Sequence, residues 1–342
     1  MPVTIVDYQN LVKDPLTLGL YKNFYRLGGN VIKLFPVVSV GSLTVKGQRW
    51  NTLPTHDFRK LNTPGWTPST GTTEPEEDRL AIFGGEYSLD KVLTESLKQP
   101  MLRDPKTMQI DMHTVAMDRG ITYNVFNGDI STEPDGFDGL NARITAGRIV
   151  AANNIDCMPA NTDCLKVLAS AANAKTFVDF LDDAIAYTGL ADPTQSNTVR
   201  GAIFTNLMGR RGIEKAFKLA EYSVQTKDML GYTWSTYRGL PLVDVGLQRD
   251  RATEIISNVV DPGDGGNDST YVYIVRFAEP DGDVDSPGSD GMTLIQVNGI
   301  QNLGPEDYNT YQKWALQWIL GLCHVGDDYC VARLHSLRFA AT

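Results

Sequence analysis

The sequence predicts an α+β fold, in which helices and strands occupy different parts of the chain. Helical periodicity is concentrated between residues 104 and 220, whereas strand-like alternation dominates the later segments. Helices do not alternate one by one with strands, so a doubly wound parallel sheet is not expected. With 342 residues, the chain is long enough for roughly two domains with a sizeable core.

The first quarter of the chain predicts two strands separated by a long polar stretch. Residues 40–50 place Leu43 and Val45 on one face, which is the pattern of a half-exposed strand. A second strand is expected to begin at Arg79. Residues 51–78 carry four prolines and few aliphatic side chains, and a loop of this length is usually functional or a linker. Because a two-stranded hairpin is marginal alone, we expect this extension to contact a neighbour.

Three helices are predicted after this extension. The first has Asp104 as its N-cap and Pro105 at its first helical position. Its mostly apolar seam consists of Met108, Met112, Val115, Arg119, Thr122 and Phe126. The second is expected from Thr176 to about Tyr187, and the third from Asn206. The buried face of the second helix consists of Phe177, Phe180, Leu181, Ala184 and Ile185.

Four later segments are predicted as strands, at residues 239–246, 270–278, 291–300 and 310–323. The last of these is the longest and has one heavily aromatic face. Its period-two apolar positions are Trp314, Leu316, Trp318, Leu320 and Leu322.

Composition and charge exclude several classes of protein. Hydrophobic residues make up 42% of the chain and charged residues 21%, which is ordinary for a folded protein. The formal net charge is -10, and no basic run of five occurs, so neither a nucleic-acid groove nor an anionic membrane surface is expected. No apolar run approaches the ~20 residues that cross a bilayer. The N-terminus lacks the pattern of a secretory signal, so we expect a soluble protein made in the cytoplasm.

One acidic segment is a candidate calcium loop. Asp281, Asp283 and Asp285 occupy its first, third and fifth positions. The sixth position is Ser286 instead of Gly, and the twelfth is Met292 instead of a bidentate Glu. A solvated acidic turn is therefore the preferred interpretation.

Other candidate chemistry is weaker still. Residues 326–328, "GDD", resemble the metal-binding hairpin of template-copying polymerases, but an acidic chain of this size lacks the basic template channel, so a hairpin turn is predicted. The four cysteines lack the short zinc-knuckle spacing and are expected to be free buried thiols: Cys157, Cys164, Cys323 and Cys330. The four histidines lie in unrelated contexts: His56, His113, His324 and His335. With no nucleophile elbow, phosphate loop or dinucleotide fingerprint, no enzyme and no catalytic, cofactor or metal residue is predicted.

Residues 126–144, "FNGDISTEPDGFDGLNARI", follow the first long helix and combine acids with glycines. Alternate-position carboxylates, which a metal loop needs, are missing. Asp closes Asx turns and Gly supplies positive φ, so a turn at the exit of the helix is predicted. Its structural residues are expected to be Gly128, Asp129, Gly136 and Gly139.

Several of these segments, in this order, resemble the major capsid protein of tailed bacteriophages, which has the Hong Kong 97-type fold. The long helix running into "FNGD" and then "GFDGL" is similar to the junction after the family's spine helix. Two segments resemble the family's axial-domain helices: "TFVDFLDDAIAY" and "AIFTNLMGRRGIEKA". The segment "YRGLPLVDVG" resembles its axial strand pair. Two later segments resemble the family's returning strands: "YIVRFAE" and "WALQWILGL…ARLHSL". The resemblance covers roughly residues 15–338.

This resemblance implies a domain organisation. It places an N-terminal arm at residues 1–40, an extended loop at 41–90, and the spine helix with peripheral domain at 91–150. The axial domain then covers residues 151–300, and returning strands cover 301–342.

The same resemblance implies a non-enzymatic function. The chain is expected to self-assemble, as hexamers and pentamers, into an icosahedral shell enclosing double-stranded DNA without sequence-specific binding. A separate scaffolding protein, a portal and a decoration protein are possible further partners, and neither a cofactor nor a membrane is involved. The expected location is the virion, after synthesis in the host cytoplasm.

Four aromatic residues are candidates for contacts between subunits: Trp50, Trp66, Phe83 and Tyr87. For the two tryptophans, packing within the extended loop itself is the alternative. Two other functions stay open: an encapsulin-like bacterial compartment with the same fold, and a calcium-binding extracellular β-rich protein. A hydrolase is a third, for which no residue set is apparent.

Overall fold

The computed structural model describes residues 30–59, 65–92, 105–158, 164–190, 201–222, 225–229, 232–259, 269–278, 291–325 and 329–339. Several predictions lie outside the described residues: the arm before residue 30, the Asp104 cap, most of the acidic turn, and residues 326–328. The side chain of Trp50 also lies outside the described part of the chain.

The described residues form five α-helices and fifteen strands. The helices are α1 (Asn30–Leu34), α2 (Pro105–Asn127), α3 (Leu140–Thr145), α4 (Ala171–Tyr187) and α5 (Leu207–Leu219). The first eight strands are β1 (Val37–Ser39), β2 (Thr44–Thr52), β3 (Thr72–Arg79), β4 (Ala81–Asp90), β5 (Asn154–Asp156), β6 (Leu165–Lys166), β7 (Gly201–Thr205) and β8 (Gln225–Met229). The others are β9 (Tyr232–Tyr237), β10 (Leu240–Asp244), β11 (Ser269–Arg276), β12 (Gly291–Gln296), β13 (Gln301–Asp307), β14 (Tyr311–Val325) and β15 (Val331–Arg338).

The strands form two large sheets and one separate hairpin. The eight-stranded sheet has the order β5–β15–β11–β7–β10–β9–β8, and β6 also pairs with β15. In the five-stranded sheet, the long strand β14 pairs with β4, β12 and β13, while β1 pairs with β12. Among the strands of the described residues, β2 and β3 pair only with each other. The predicted α+β class is confirmed.

Two hydrophobic cores lie on opposite faces of the eight-stranded sheet. Because successive side chains of a strand alternate between faces, Ile203 and Ile274 pack against α4 and α5. Their neighbours Phe204 and Tyr273 face the other core, which contains α1, α2 and the five-stranded sheet. The eight-stranded sheet is therefore the central layer of the subunit.

The helix α2 was predicted correctly, but the first half of its seam was not. Met108 and Met112 are 52% and 51% exposed. The buried positions are Thr114, Met117, Asp118, Gly120, Ile121, Thr122, Val125 and Phe126. Two neighbouring rows of this helix are apolar in sequence, and the contacts with α1 and the sheets decide which row is buried.

Strand β3 was missed in the sequence, and the pairing of β4 was predicted wrongly. The strand that returns alongside β2 begins at Thr72, not at Arg79, and β4 pairs with β14. Strand β3 is almost entirely exposed, so it carries no apolar alternation that would predict it. Pro75 is tolerated because a proline costs no ladder hydrogen bond on the free edge of a strand.

Three other elements test the local predictions. The N-cap of α4 is Ser170, whose Oγ accepts from the amide of Asn173 at 3.1 Å, so the start predicted at Thr176 was wrong. The hydroxyl of Thr176 instead donates to the carbonyl of Ala172 within the helix. The predicted start of α5 at Asn206 is confirmed: this residue is the N-cap, and its Oδ1 accepts from the amide of Gly209 at 2.8 Å. All five predicted apolar positions of β14 are buried.

Candidate functional site

The hairpin β2–β3 leaves the body of the subunit and carries exposed apolar side chains at its tip. Leu53, Phe58 and Trp66 are all strongly exposed, and 65% of Trp66 faces solvent. The indole Nε1 of Trp66 donates to the carbonyl of Asp57 at 3.0 Å, and the guanidinium of Arg59 lies 5.1 Å from its ring centre. These contacts order the tip without covering the ring.

The two aromatic residues of β4 are placed differently from Trp66. Tyr87 is only 6% exposed and stacks on Trp314, with ring centres 5.4 Å apart. It therefore packs inside its own chain, and its choice as a subunit contact needs correction: burial removes it from the surface. Phe83 is half-buried against Gly120, where an added Cβ would collide with the ring. The imidazole of His113 packs on Tyr87, and burial lowers its pKa.

The segment at residues 126–144 forms a tight turn between α2 and α3. The amide of Gly128 donates to the carbonyl of Asn124 at 2.9 Å, and the amide of Gly139 donates to the carbonyl of Gly128 at 2.9 Å. A Cβ on Gly128 would lie 2.5 Å from the carbonyl oxygens of both Asn124 and Phe137. Gly136 is less confined, with the Glu133 carbonyl 3.1 Å from such a Cβ.

The acids of this turn accept hydrogen bonds from their own loop. Oδ1 of Asp129 accepts from the amide of Ser131 at 2.8 Å and from its hydroxyl at 2.5 Å. These bonds to Ser131 hold the pKa of the Asp129 carboxyl below its usual range. Oδ1 of Asp138 accepts from the amide of Ile130 at 3.0 Å. The carboxylates thus act as turn-forming acceptors.

A buried group of charged residues lies where the hairpin meets the body. We call it the base cluster, and its members are Glu76, Asp78, Arg143, Arg148 and His324. Nη2 of Arg143 and Nη2 of Arg148 both donate to Oδ1 of Asp78, at 2.8 and 2.7 Å. Nε of Arg148 donates to Oε1 of Glu76 at 2.8 Å. Nε2 of His324 lies 3.1 Å from Oε2 of Glu76.

The interior members of the base cluster have further partners. Only 1% of Arg143 and 4% of Asp78 are exposed. Arg143 also donates to the carbonyls of Leu322 and Asp138, at 2.7 and 3.0 Å. Its Nη1 lies 2.9 Å from Nδ1 of His324. Since a guanidinium can only donate, Nδ1 is the acceptor in this contact, which puts the proton of a neutral imidazole on Nε2.

Paired charges set the protonation of the two acids. Burial by itself would raise the pKa of Asp78, but the neighbouring guanidinium of Arg143 outweighs this and lowers that pKa. Burial would likewise raise the pKa of Glu76, yet the contacts with His324 and Arg148 bring it below its usual value. Both acids are therefore ionised at neutral pH.

Sequence reasoning did not find the base cluster. Asp78 and His324 are separated by 246 positions, and only the fold brings them together. The one available signal was the pair of acids at residues 76 and 78, which share a face if that segment is a strand. That strand carried no apolar pattern to predict it.

The remaining candidate residues form no common site. The four cysteines are buried, and they form no disulfide in the part of the chain that the structure describes. Within the described residues, no group of three or more His, Cys, Asp or Glu side chains could hold a metal ion. Asp281, Asp283 and Asp285 lie outside the described residues. In the part of the chain that the structure describes, no helix is both long and apolar enough to cross a membrane.

Comparison with known proteins gives similarity in structure alone. No protein-family model and no curated protein matches the sequence. The holo-SrpI encapsulin of Synechococcus elongatus is 12% identical, with a TM-score of 0.57 over 91% of this chain and 88% of that one. A structure from Mycobacterium phage Bobi is 11% identical, with a TM-score of 0.55 over 90% of both chains. The capsid of Myoviridae phage XM1 is 11% identical, with a TM-score of 0.51 over 88% of this chain and 90% of that one.

Proposed function

The chain has the Hong Kong 97-type fold, and from this premise we propose that it is the major capsid protein of a tailed phage. In this proposal many copies associate as hexamers and pentamers into a closed icosahedral head, and the subunit has no catalytic activity. A scaffolding protein, a portal and a decoration protein would be its further partners.

The observation that carries the proposal is the hairpin β2–β3. Its strands pair only with each other, and nearly every residue of β3 is exposed. A two-stranded hairpin of this kind is marginal on its own, so a surface of another molecule is expected to stabilise it. Neighbouring subunits of a shell supply such a surface at every position.

The exposed tip of the hairpin supplies the contact residues of the proposal. Leu53, Phe58 and Trp66 are exposed apolar side chains on an otherwise polar extension. Large aromatic side chains contribute most of the binding energy in many interfaces. We therefore assign the tip to a contact between subunits, with Trp66 as its anchor.

The charge of the chain is compatible with a shell around DNA. A net charge of -10 gives repulsion from the phosphate backbone, so the shell encloses the genome without adhering tightly to it. The head of the virion is then the location of the protein, after synthesis in the host cytoplasm.

Electron microscopy and sedimentation of the purified chain test the proposal. Closed particles are expected, from the chain alone or together with its scaffold. Trp66→Ala should reduce their yield while leaving the thermal unfolding of the subunit unchanged. Small monodisperse species under both conditions would overturn the proposal.

A second candidate, an encapsulin-like compartment, is favoured by the similarity to the encapsulin of S. elongatus. Such a shell encloses a protein cargo rather than a genome. Particles from the cells that naturally make this chain would be treated with nuclease and then analysed for contents. Protected genome-length DNA supports the phage head, and an enzyme cargo without DNA supports the compartment.

A further inference from the structure

The hairpin β2–β3 is joined to the body by two short chain links and by side chains, and in the described part of the chain no sheet continues across its root. Strand β3 ends at Arg79, one residue before β4 begins at Ala81, and β1 ends at Ser39, shortly before β2 begins at Thr44. In the described residues, no main-chain hydrogen bond links β2 or β3 to either of the large sheets. One apolar contact exists at its root, where Val45 and Leu80 pack on Val40, Ile295 and Cys323. The base cluster forms a second, polar contact, where Asp78 also accepts from the amide of His324 at 3.4 Å.

Two acids of β3 point into the body from one face of the strand. Glu76 and Asp78 are two positions apart, so their side chains share a face. Asp78 is the one buried residue of β3. The partners of these acids come from three different places: Arg143 from α3, Arg148 from the segment after α3, and His324 from β14.

This arrangement constrains direction as well as attachment. A single ion pair leaves a strand free to rotate about it, whereas Arg148 bridges both acids and Arg143 approaches Asp78 from α3. Planar guanidinium groups donate along fixed directions, so their hydrogen bonds are geometrically selective. Apolar packing at the root has no comparable directionality.

We infer that Glu76, Asp78, Arg143 and Arg148 are positioning residues, which set the angle at which the hairpin leaves the subunit. The effect of this angle on assembly rests on the proposed function, because the angle decides where the tip of the hairpin meets the next copy. One subunit would then carry, in its own buried charges, a determinant of how its neighbours are placed.

The energetics of buried charges favour a role in geometry over one in stability. Desolvation offsets most of the attraction within a buried ion pair, so its net stabilisation is small. Removing one partner, in contrast, leaves an uncompensated charge in the interior. Arg148 and Glu76 are partly exposed, so water reaches the charge that remains when either is changed. A base cluster weakened at these two members should therefore leave both hydrophobic cores folded and the hairpin poorly oriented.

The test follows the orientation of the hairpin through a distance, measured in the full-length, unassembled chain. Spin labels are attached to Thr73→Cys on β3 and Met112→Cys on α2, both of which are exposed. The four native thiols are buried, so labelling favours the introduced sites. Pulsed electron resonance then gives the distribution of distances between the labels.

Two variants weaken the base cluster where its members are partly accessible. Arg148→Met removes the ion pairs with Glu76, Asp78 and Asp138 and keeps most of the side-chain volume. Glu76→Gln removes one charge with almost no change of shape. Arg79→Met is the matched control. This arginine is exposed on the same strand, and its ion pair with Glu77 is long, at 3.9 Å. Circular dichroism verifies that each variant is folded.

The wild type and Arg79→Met are expected to give one narrow distance peak. Arg148→Met should give a broad distribution of distances in place of that peak. Glu76→Gln should broaden the peak less than Arg148→Met does. If both folded variants retain the narrow peak, the inference is overturned. Should Arg148→Met fail to fold, Glu76→Gln alone decides, and an unchanged peak then overturns it.

Electron microscopy of the same proteins separates this inference from the proposed function. Particles of mixed size from Glu76→Gln and regular particles from the wild type support both. A wild type that never assembles, together with a broadened distance peak in the variants, removes the proposed function and leaves the positioning residues standing.

Discussion

The amide of Gly139 donates a 2.9 Å hydrogen bond to the carbonyl of Gly128, and the two glycines lie in direct backbone contact at the end of α2. A Cβ on Gly139 would be 2.8 Å from the nitrogen of Gly128 and 2.9 Å from the carbonyl oxygen of Val125. Neither distance is compatible with a side chain, because the neighbouring atoms belong to the backbone and cannot move aside.

Gly139→Val and Gly128→Val should each destabilise the subunit severely. Overpacking of a rigid site costs about 1–3 kcal/mol, and more where only the backbone can yield. We expect loss of about 3 kcal/mol or more, measured by chemical unfolding, with a low soluble yield. Gly47→Val is the control, since nothing lies within 4 Å of its Cβ position. Wild-type stability of Gly139→Val would mean that this turn is not tight.

Tyr87 provides a second test, which separates internal packing from subunit contact. Its hydroxyl is buried and has no hydrogen-bond partner within the described residues, and burial raises its pKa to about 12. Tyr87→Phe should therefore be neutral or slightly stabilising. Tyr87→Ala should cost about 3–5 kcal/mol, because it leaves a cavity beside Trp314.

The measurement for Tyr87 is urea unfolding of the unassembled chain. Trp66→Ala is the comparison, because its exposed ring stabilises little within the subunit. A small loss for Tyr87→Ala, with a large loss for Trp66→Ala, would contradict the placement of these two residues.

The strands and helices that bury a face were predictable, as β14 illustrates. Its alternate residues Trp314 and Trp318 are buried, and an alternating pattern over so many residues is typical of a strand with one buried face. The hairpin was only half predictable. Because β3 buries little, its sequence "TTEPEEDR" is indistinguishable from a polar loop.

The base cluster was not predictable, because its chemistry depends on tertiary contacts. An Arg such as Arg143 is expected on the surface from its type alone. Its burial is explained only by Asp78 and by the carbonyls that surround it. The sequence also left open which face of α2 is buried. Met112 and Met117 are equally apolar, and only the packing of the helix decides which of them is buried.

The cysteines lead to a third prediction, on chemical reactivity. Burial raises the pKa of the Cys157 thiol to about 12 and also raises the pKa of Cys323. A thiolate is the reactive form, so both should resist alkylation at pH 8. Iodoacetamide followed by mass spectrometry should find four unmodified thiols in the native chain and four modified ones in denaturant. Rapid modification of Cys157 in the native chain would contradict its burial.

The last prediction concerns the effect of low pH on the base cluster. Asp78 and Glu76 have a folded-state pKa below their ordinary values of about 3.9 and 4.3. Depressed pKa values mean that the base cluster contributes fully above those ordinary values and is lost as pH falls through the folded ones. The two acids face the other members of the cluster, Arg143, Arg148 and His324, and the cluster is in turn faced by Asp138 and Cys323.

Between pH 7 and 5, the narrow distance peak of the labelled hairpin should persist, since both carboxyls stay ionised. Below about pH 4 it should broaden as they are protonated, and Glu76→Gln should shift or weaken this transition. Glu77→Gln is the control, because Glu77 is exposed and its nearest basic groups are 3.9 Å away. A transition identical in wild type and Glu76→Gln would show that Glu76 does not control the angle, because its proton would then have no part in the change.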